Sequence, residues 1–255
     1  MNEIRFEVDS RGVATLTLNR PEVRNAMNGE LMSQMAETIG NLPSDVRVLV
    51  LAGEGKVFSS GADLAWMMSA TEAGGDSAVL LSLFSAVDQC RAPVVARVQG
   101  AAMAGAAGLV ACCDFAVAAE DAVFGFTEVR LGLVPAVISP YILRKTGYSF
   151  ARAAFLTGER FDARRAYEVG LVHRIVPSDQ LDAAVEEVVR SLLLAGPEAI
   201  GEVRKLIEKI WGRSPSEVSD VTVAAISERR ASEEGREGIT AFLEKRRPRW
   251  AQPPD

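Results

Sequence analysis

Two runs, "VRVLVLAG" at residues 46–53 and "APVVARVQG" at 92–100, are almost continuously apolar and rich in β-branched residues. A strand with one wet face alternates; a strand covered on both faces does not, and such strands belong to parallel sheets with helices on each side. The segments between them read as helices. Residues 20–42 carry Asn28 as an N-cap, followed by apolar residues at helical spacing through Ile39. Residues 76–90 form a longer helix, and Pro93 stops its extension. The order βαβα therefore demands a mostly parallel, helix-covered sheet.

The flanks fill in the rest. "IRFEVD" and "VATLTLN" alternate on either side of "SRG" and read as a hairpin. "DFAVAAEDAVFGF" holds two short strands around an acidic turn. Beyond about residue 140 the chain turns helical, with six plausible helices interrupted only by "LVHRIV". The simplest division is an α/β core over 1–195 and a helical region over 196–255, split ahead of Pro197.

Several functions are disfavoured by composition. The chain has 255 residues and a net charge of −6, which argues against nucleic acid as a main partner. Its three cysteines, Cys90, Cys112 and Cys113, lack metal spacing and read as reduced core residues of a cytoplasmic protein. The N-terminus is polar and alternating, unlike a signal or transit peptide, and no apolar run is long enough for a membrane span. The single histidine, His173, opens a short apolar strand, and no G-x-S-x-G turn exists to pair with it. Neither a metal nor a bound cofactor is expected.

Two places join a strand, a turn of small residues and a helix start: "FSSGADL" at 58–64 and "GAAMAGAAGL" at 100–109. Small residues let a ligand approach the backbone, and helix N-termini present unpaired N–H groups. No GK[ST] follows, so neither turn is a P-loop, and "GAAMAG" is a poor dinucleotide fingerprint. Such turns serve either close packing or the binding of an anion or oxyanion. Their repetition in consecutive units favours binding, because two donors can converge on one oxygen.

These segments, with "LNRPEVRNAMN", "FGFTEVRLGLVP" and "LTGERFDARRAYEVGLVHRIVP", stand in the order and spacing of the crotonase, or enoyl-CoA hydratase/isomerase, superfamily, which the chain resembles over nearly its whole length. The resemblance implies a crotonase-like ββα-superhelix core with a C-terminal helical trimerisation region, assembled as a homotrimer or dimer of trimers. It implies an acyl-CoA thioester substrate, with coenzyme A as part of the substrate rather than a cofactor. The amides of Ala62 and Gly105 would hold the thioester oxygen. Coenzyme A contacts would fall on Arg24, Ala26, Lys56 and the loop of Ser60, Gly61, Asp63 and Leu64. Asp63 equally suits a helix cap, and Arg24 and Lys56 equally suit solvated cations. Phe242 and Lys245 match residues that close over the adenine from a neighbouring subunit; they also suit a basic last helical turn.

The carboxylates carry the reaction. Hydration of an enoyl thioester needs a base for water at C3 and a proton at C2. Hydratases that the chain resembles commonly use two glutamates. One corresponds to Glu128, whose apolar flanks favour burial and a raised pKa, although a solvated acid or a partner for Arg130 fits the spacing too. The other position is taken by Gly108. A single carboxylate also suits a Δ3,Δ2-enoyl-CoA isomerase, and a catalytically weak CoA- or RNA-binding paralogue is the reading from a different class. The Gly108 pattern, and "PAVISP" from Pro135, resemble a hydratase branch for branched or carboxylated thioesters of methylglutaconyl type. Trp66 and Met67 either shape that acyl pocket or simply pack in the core.

Overall fold

In a computed structural model, residues 2–69 and 75–251 are described. Strands β1 (Ile4–Val8) and β2 (Val13–Leu18) form the expected antiparallel hairpin. Helix α1 (Gly29–Gly40) follows, with the Asn28 side chain accepting the Leu31 amide as its N-cap. Strand β3 (Val48–Gly53) is buried at every residue, as its unbroken apolar run requires. Helices α2 (Leu64–Ser69) and α3 (Gly75–Asp88) lead to β4 (Val94–Val98). Then come β5 (Ala101–Met103), α4 (Gly105–Cys112), β6 (Phe115–Ala119) and β7 (Val123–Gly125).

The remainder is α5 (Ser139–Thr146), α6 (Tyr148–Thr157), β8 (Arg160–Asp162), α7 (Ala163–Glu168), β9 (Arg174–Val176) and α8 (Leu181–Leu194). Helices α9 (Pro197–Ile210), α10 (Ser219–Ala231) and α11 (Glu233–Leu243) complete it. The main sheet runs β1-β2-β3-β4-β6-β9, parallel except for the first pair. One face packs on α8 through Val48, Val95, Val117 and Val188; the other holds the larger core around Leu49, Phe58, Phe84 and α4. No helix among the described residues is long and apolar enough to cross a membrane.

Three features depart from the sequence reading, the first being that residues 101–103 of the expected small-residue turn form strand β5. The helical second half is also interrupted by β8, which pairs with β7 and places it beside β5 in a second sheet of three strands. Strands of three residues carry too little periodicity to read. Helix α5, absent from the six expected helices, starts at Ser139 with Pro140 in its first turn, where proline's missing N–H costs nothing.

Helix α4 is buried along its full length and carries no charge. Its C-terminal end is satisfied from outside, where Lys145 Nζ donates to the Cys113 carbonyl at 2.6 Å, a cation at the negative end of the helix. Its N-terminal end begins at the turn of Ala104.

Candidate active site

The first turn is shaped from below by Asn25. Arg24 and Asn25 are both left-handed (φ 57° and 53°), a conformation asparagine tolerates better than most residues. The Asn25 side chain is fully buried, and its Nδ2 donates to the carbonyls of Glu54, Val57 and Phe58. Ser59 Oγ donates back to the Asn25 carbonyl at 2.7 Å and accepts the Gly61 amide at 3.1 Å. Met27 then runs alongside: its amide donates to Gly61, and its carbonyl accepts the Asp63 amide. That ladder skips Ala62, whose amide has no acceptor among the described residues.

The second turn is aligned with the first. Ser59 and Ala102 form a parallel bridge, and Ala62 and Gly105 each lie three residues beyond it. Gly61 (φ 95°) sits where a Cβ would lie 2.6 Å from the Met103 carbonyl, so only glycine lets the two turns touch. Ala104 adopts φ 50°, ψ −120°, a strained conformation for a residue with a Cβ. It turns the chain abruptly into α4. The first in-helix bond comes from the Gly108 amide to Ala104, so the Gly105 amide is left without an acceptor among the described residues.

Glu128 approaches from β7. Phe124 and Phe126 anchor that strand, Phe126 packing edge-on against Phe155 at 5.1 Å. Glu128 opens a single 3₁₀ turn through Leu131. Its Oε2 is buried without a hydrogen-bond partner among the described residues. Burial pushes its pKa above the ordinary carboxylate value, partly offset by a bond from its own main-chain amide. Arg130 is turned away, its Nε directed at the Thr157 carbonyl 3.4 Å off, so the sequence-level alternative of a Glu128–Arg130 pair is not formed. A half-buried carboxylate with a raised pKa and one unpartnered oxygen can exchange protons with a substrate.

Other candidate residues surround this core. Asp63 Oδ1 accepts the Ala65 and Trp66 amides, so it caps α2, while Oδ2 pairs with Arg20. Arg20 also donates to the Ala26 carbonyl at 2.6 Å. Arg24 and Lys56 are exposed, and the Arg24 carbonyl accepts the Ser60 amide. Leu64 is exposed, whereas Trp66 is half-buried against Gly29. Pro135 is half-buried in a largely exposed loop before α5. Phe242 and Lys245 stand exposed at and just beyond the end of α11, away from any contact that would fix a role in this chain alone.

Arg20, Asn25 and Ile138 were invisible as site-builders in the sequence. Arg20 and Asn25 fall inside "LNRPEVRNAMN", where two polar residues next to a proline turn hint at loop-tying but do not show what they tie. His173 takes no part: Nδ1 accepts the Ala116 amide and the ring stacks on Phe115 at 4.6 Å. The three cysteines are buried free thiols.

The chain matches the family model described as enoyl-CoA hydratase/isomerase over residues 9–253. It is similar to the crystal structure of an enoyl-CoA hydratase from Shewanella pealeana, with TM-score 0.92 and 39% identity, covering 97% of this chain and 96% of that one. A Mycobacterium smegmatis enoyl-CoA hydratase structure gives TM-score 0.93 at 32% identity, covering 99% and 100%. A crotonyl-CoA hydratase of Syntrophomonas wolfei is 31% identical, over 92% of this chain and 93% of its own.

Proposed function

The chain belongs to the enoyl-CoA hydratase/isomerase family and is an enzyme of it, and we propose that it hydrates an α,β-unsaturated acyl-CoA thioester with Glu128 as its one working carboxylate. The observation that carries this reading is the buried, unpartnered Oε2 of Glu128, three residues after the Gly125 carbonyl that accepts the Ala104 amide, together with two turns whose Ala62 and Gly105 amides lack acceptors among the described residues. The Glu128 carboxylate takes a proton from water as the oxygen bonds to C3. Negative charge moves to the thioester oxygen, where the two amides hold it as an enolate. The proton on Glu128 then passes to C2. Water is thus divided between C3 and C2, and the carboxylate is regenerated.

Coenzyme A is assigned to Arg24, Ala26, Lys56 and the 60–64 loop, whose exposed cations suit phosphate. The test is Glu128→Gln assayed on crotonyl-CoA by loss of enoyl absorbance. Removal of a positioned acid–base group should cost about 10²–10⁴ in rate. Activity within a few-fold of the parent sinks the mechanism.

A second reading follows from Gly108, which supplies no acid. One carboxylate can move a proton from C4 to C2 as a Δ3,Δ2-isomerase does, and 3-hexenoyl-CoA discriminates: conversion of that substrate alone would replace hydration. The Gly108 and 135–140 pattern resembles hydratases of branched or carboxylated thioesters, which a substrate panel including 3-methylglutaconyl-CoA tests. Trp211, Phe242 and Leu243 in the helical region are 70%, 83% and 74% exposed, apolar groups that a neighbouring subunit could cover. They support a homotrimer or dimer of trimers in which a neighbour's Phe242 and Lys245 close over the adenine; light scattering measures the mass.

A further inference from the structure

Gly105 and Gly108 lie three residues apart on α4 and share one helix face. A side chain at 108 would therefore stand one turn from the free Gly105 amide, on the face that residue 105 shares. That place is already filled from another helix. A Cβ on Gly108 would lie 2.7 Å from Ile138 Cβ, closer still to Ile138 Cγ2, and 3.1 Å from Phe84 Cζ. Neither neighbour can withdraw easily. Ile138 is buried and β-branched, hence stiff at χ1. Its turn is tied by Ser139 Oγ donating to the Ala136 carbonyl, and the Ile138 carbonyl accepts the Ile142 amide as α5 begins. Phe84 is fully buried and packs edge-on against Tyr141 at 5.6 Å.

We propose that Ile138 is a positioning residue that holds the site to one carboxylate: residue 108 can carry an acid only when residue 138 is small. The inference rests on the hydratase reading above. With Glu128 alone, one group must both accept the proton from water and return it to C2. An acid at 108 would divide those tasks, but Ile138 denies it room. The absent acid at 108 and the turn that carries Ile138 into α5 are then two halves of a single packing contact.

The test is a double-mutant cycle of Gly108→Glu and Ile138→Ala, read by Tm and by crotonyl-CoA hydration. Gly108→Glu should lower Tm, or abolish soluble protein, with Ile138 in place, and do so far less in the Ile138→Ala background. The double variant should hydrate at least about 10-fold faster than Ile138→Ala, since a positioned acid contributes that much or more, and its pH profile should gain an alkaline limb. Gly108→Ala, which adds only the clashing Cβ, supplies the Tm cycle if the glutamate variants do not fold. Additive Tm changes, or a double variant no faster than Ile138→Ala, overturn the proposal. Additive Tm values with an inactive Glu128→Gln sink the Ile138 proposal alone. Coupled Tm values with a fully active Glu128→Gln sink the Glu128 reading alone.

Discussion

The Ala104 amide donates to the Gly125 carbonyl at 2.7 Å. This one bond ties the turn that frees the Gly105 amide to the strand end that delivers Glu128, three residues after Gly125. The Gly105 turn and the Glu128 main chain are thus tied by main-chain bonding, which leaves the Glu128 side chain alone to place the carboxylate.

Glu128 should trade stability for reactivity. Its folded pKa is raised, so the folded state binds the proton more tightly than the unfolded chain does. The associated stability is present below the unfolded carboxylate pKa and is lost as pH rises through the folded value. Glu128→Gln should therefore raise Tm at neutral pH, with the gain vanishing in acid. The parent's kcat/KM should fall on acidification through that raised pKa, because the base must be ionised. A Tm at pH 7 unchanged or lowered in the variant counts against a strained, buried carboxylate.

Gly61→Ala should separate the two turns. The new Cβ meets the Met103 carbonyl, a main-chain atom that cannot swing aside, at a φ that disfavours any side chain. Loss of one oxyanion donor costs about 10²–10³ in rate, and kcat should fall by up to that amount. Gly212→Ala, equally left-handed but with nothing within 4 Å, provides the control. It should lose some stability and keep its rate; equal rates in both variants would exclude a role for the Gly61 contact.

Relief of strain at Ala104 is a separate test. Glycine accepts φ 50° without a Cβ penalty, and such strain costs on the order of 1–3 kcal/mol. Ala104→Gly should keep or raise Tm and retain activity, while Ala104→Val should lose soluble protein. Thermal melts with crotonyl-CoA assays decide it, and a valine variant as stable as the parent contradicts the strained geometry.

His173 predicts an acid limit. Burial and nearby Lys145 lower its pKa to about 4, against about 6.5 when unfolded. Between those values the unfolded chain binds the extra proton and the folded chain does not. Stability should therefore fall as pH drops from about 6.5 to 4. His173→Asn should flatten that part of the urea midpoint–pH curve; an unchanged slope would assign the acid limit to other groups.

Much of this was legible in the chain itself. The nearly continuous apolar runs at 46–53 and 92–100 encode doubly buried strands because periodicity is a local property. Asn28 reads as a cap, and it is one. Glu128 stands out as an acid between apolar flanks. Family membership follows from five ordered motifs and is shown by the match over residues 9–253.

What no local pattern could carry is which groups meet. Whether Glu128 is paired depends on where Arg130 points, and Arg130 follows Thr157 on α6. The alignment of Ala62 with Gly105 comes from a bridge between Ser59 and Ala102, in different segments. That the space beside Gly108 is filled comes from Ile138, at the start of another helix. Sequence determined the elements, the turns and the candidate acid, since these depend on residues a few positions apart. Only the tertiary structure decided the working geometry, because steric exclusion and unpaired hydrogen-bonding groups exist only between segments that packing brings together.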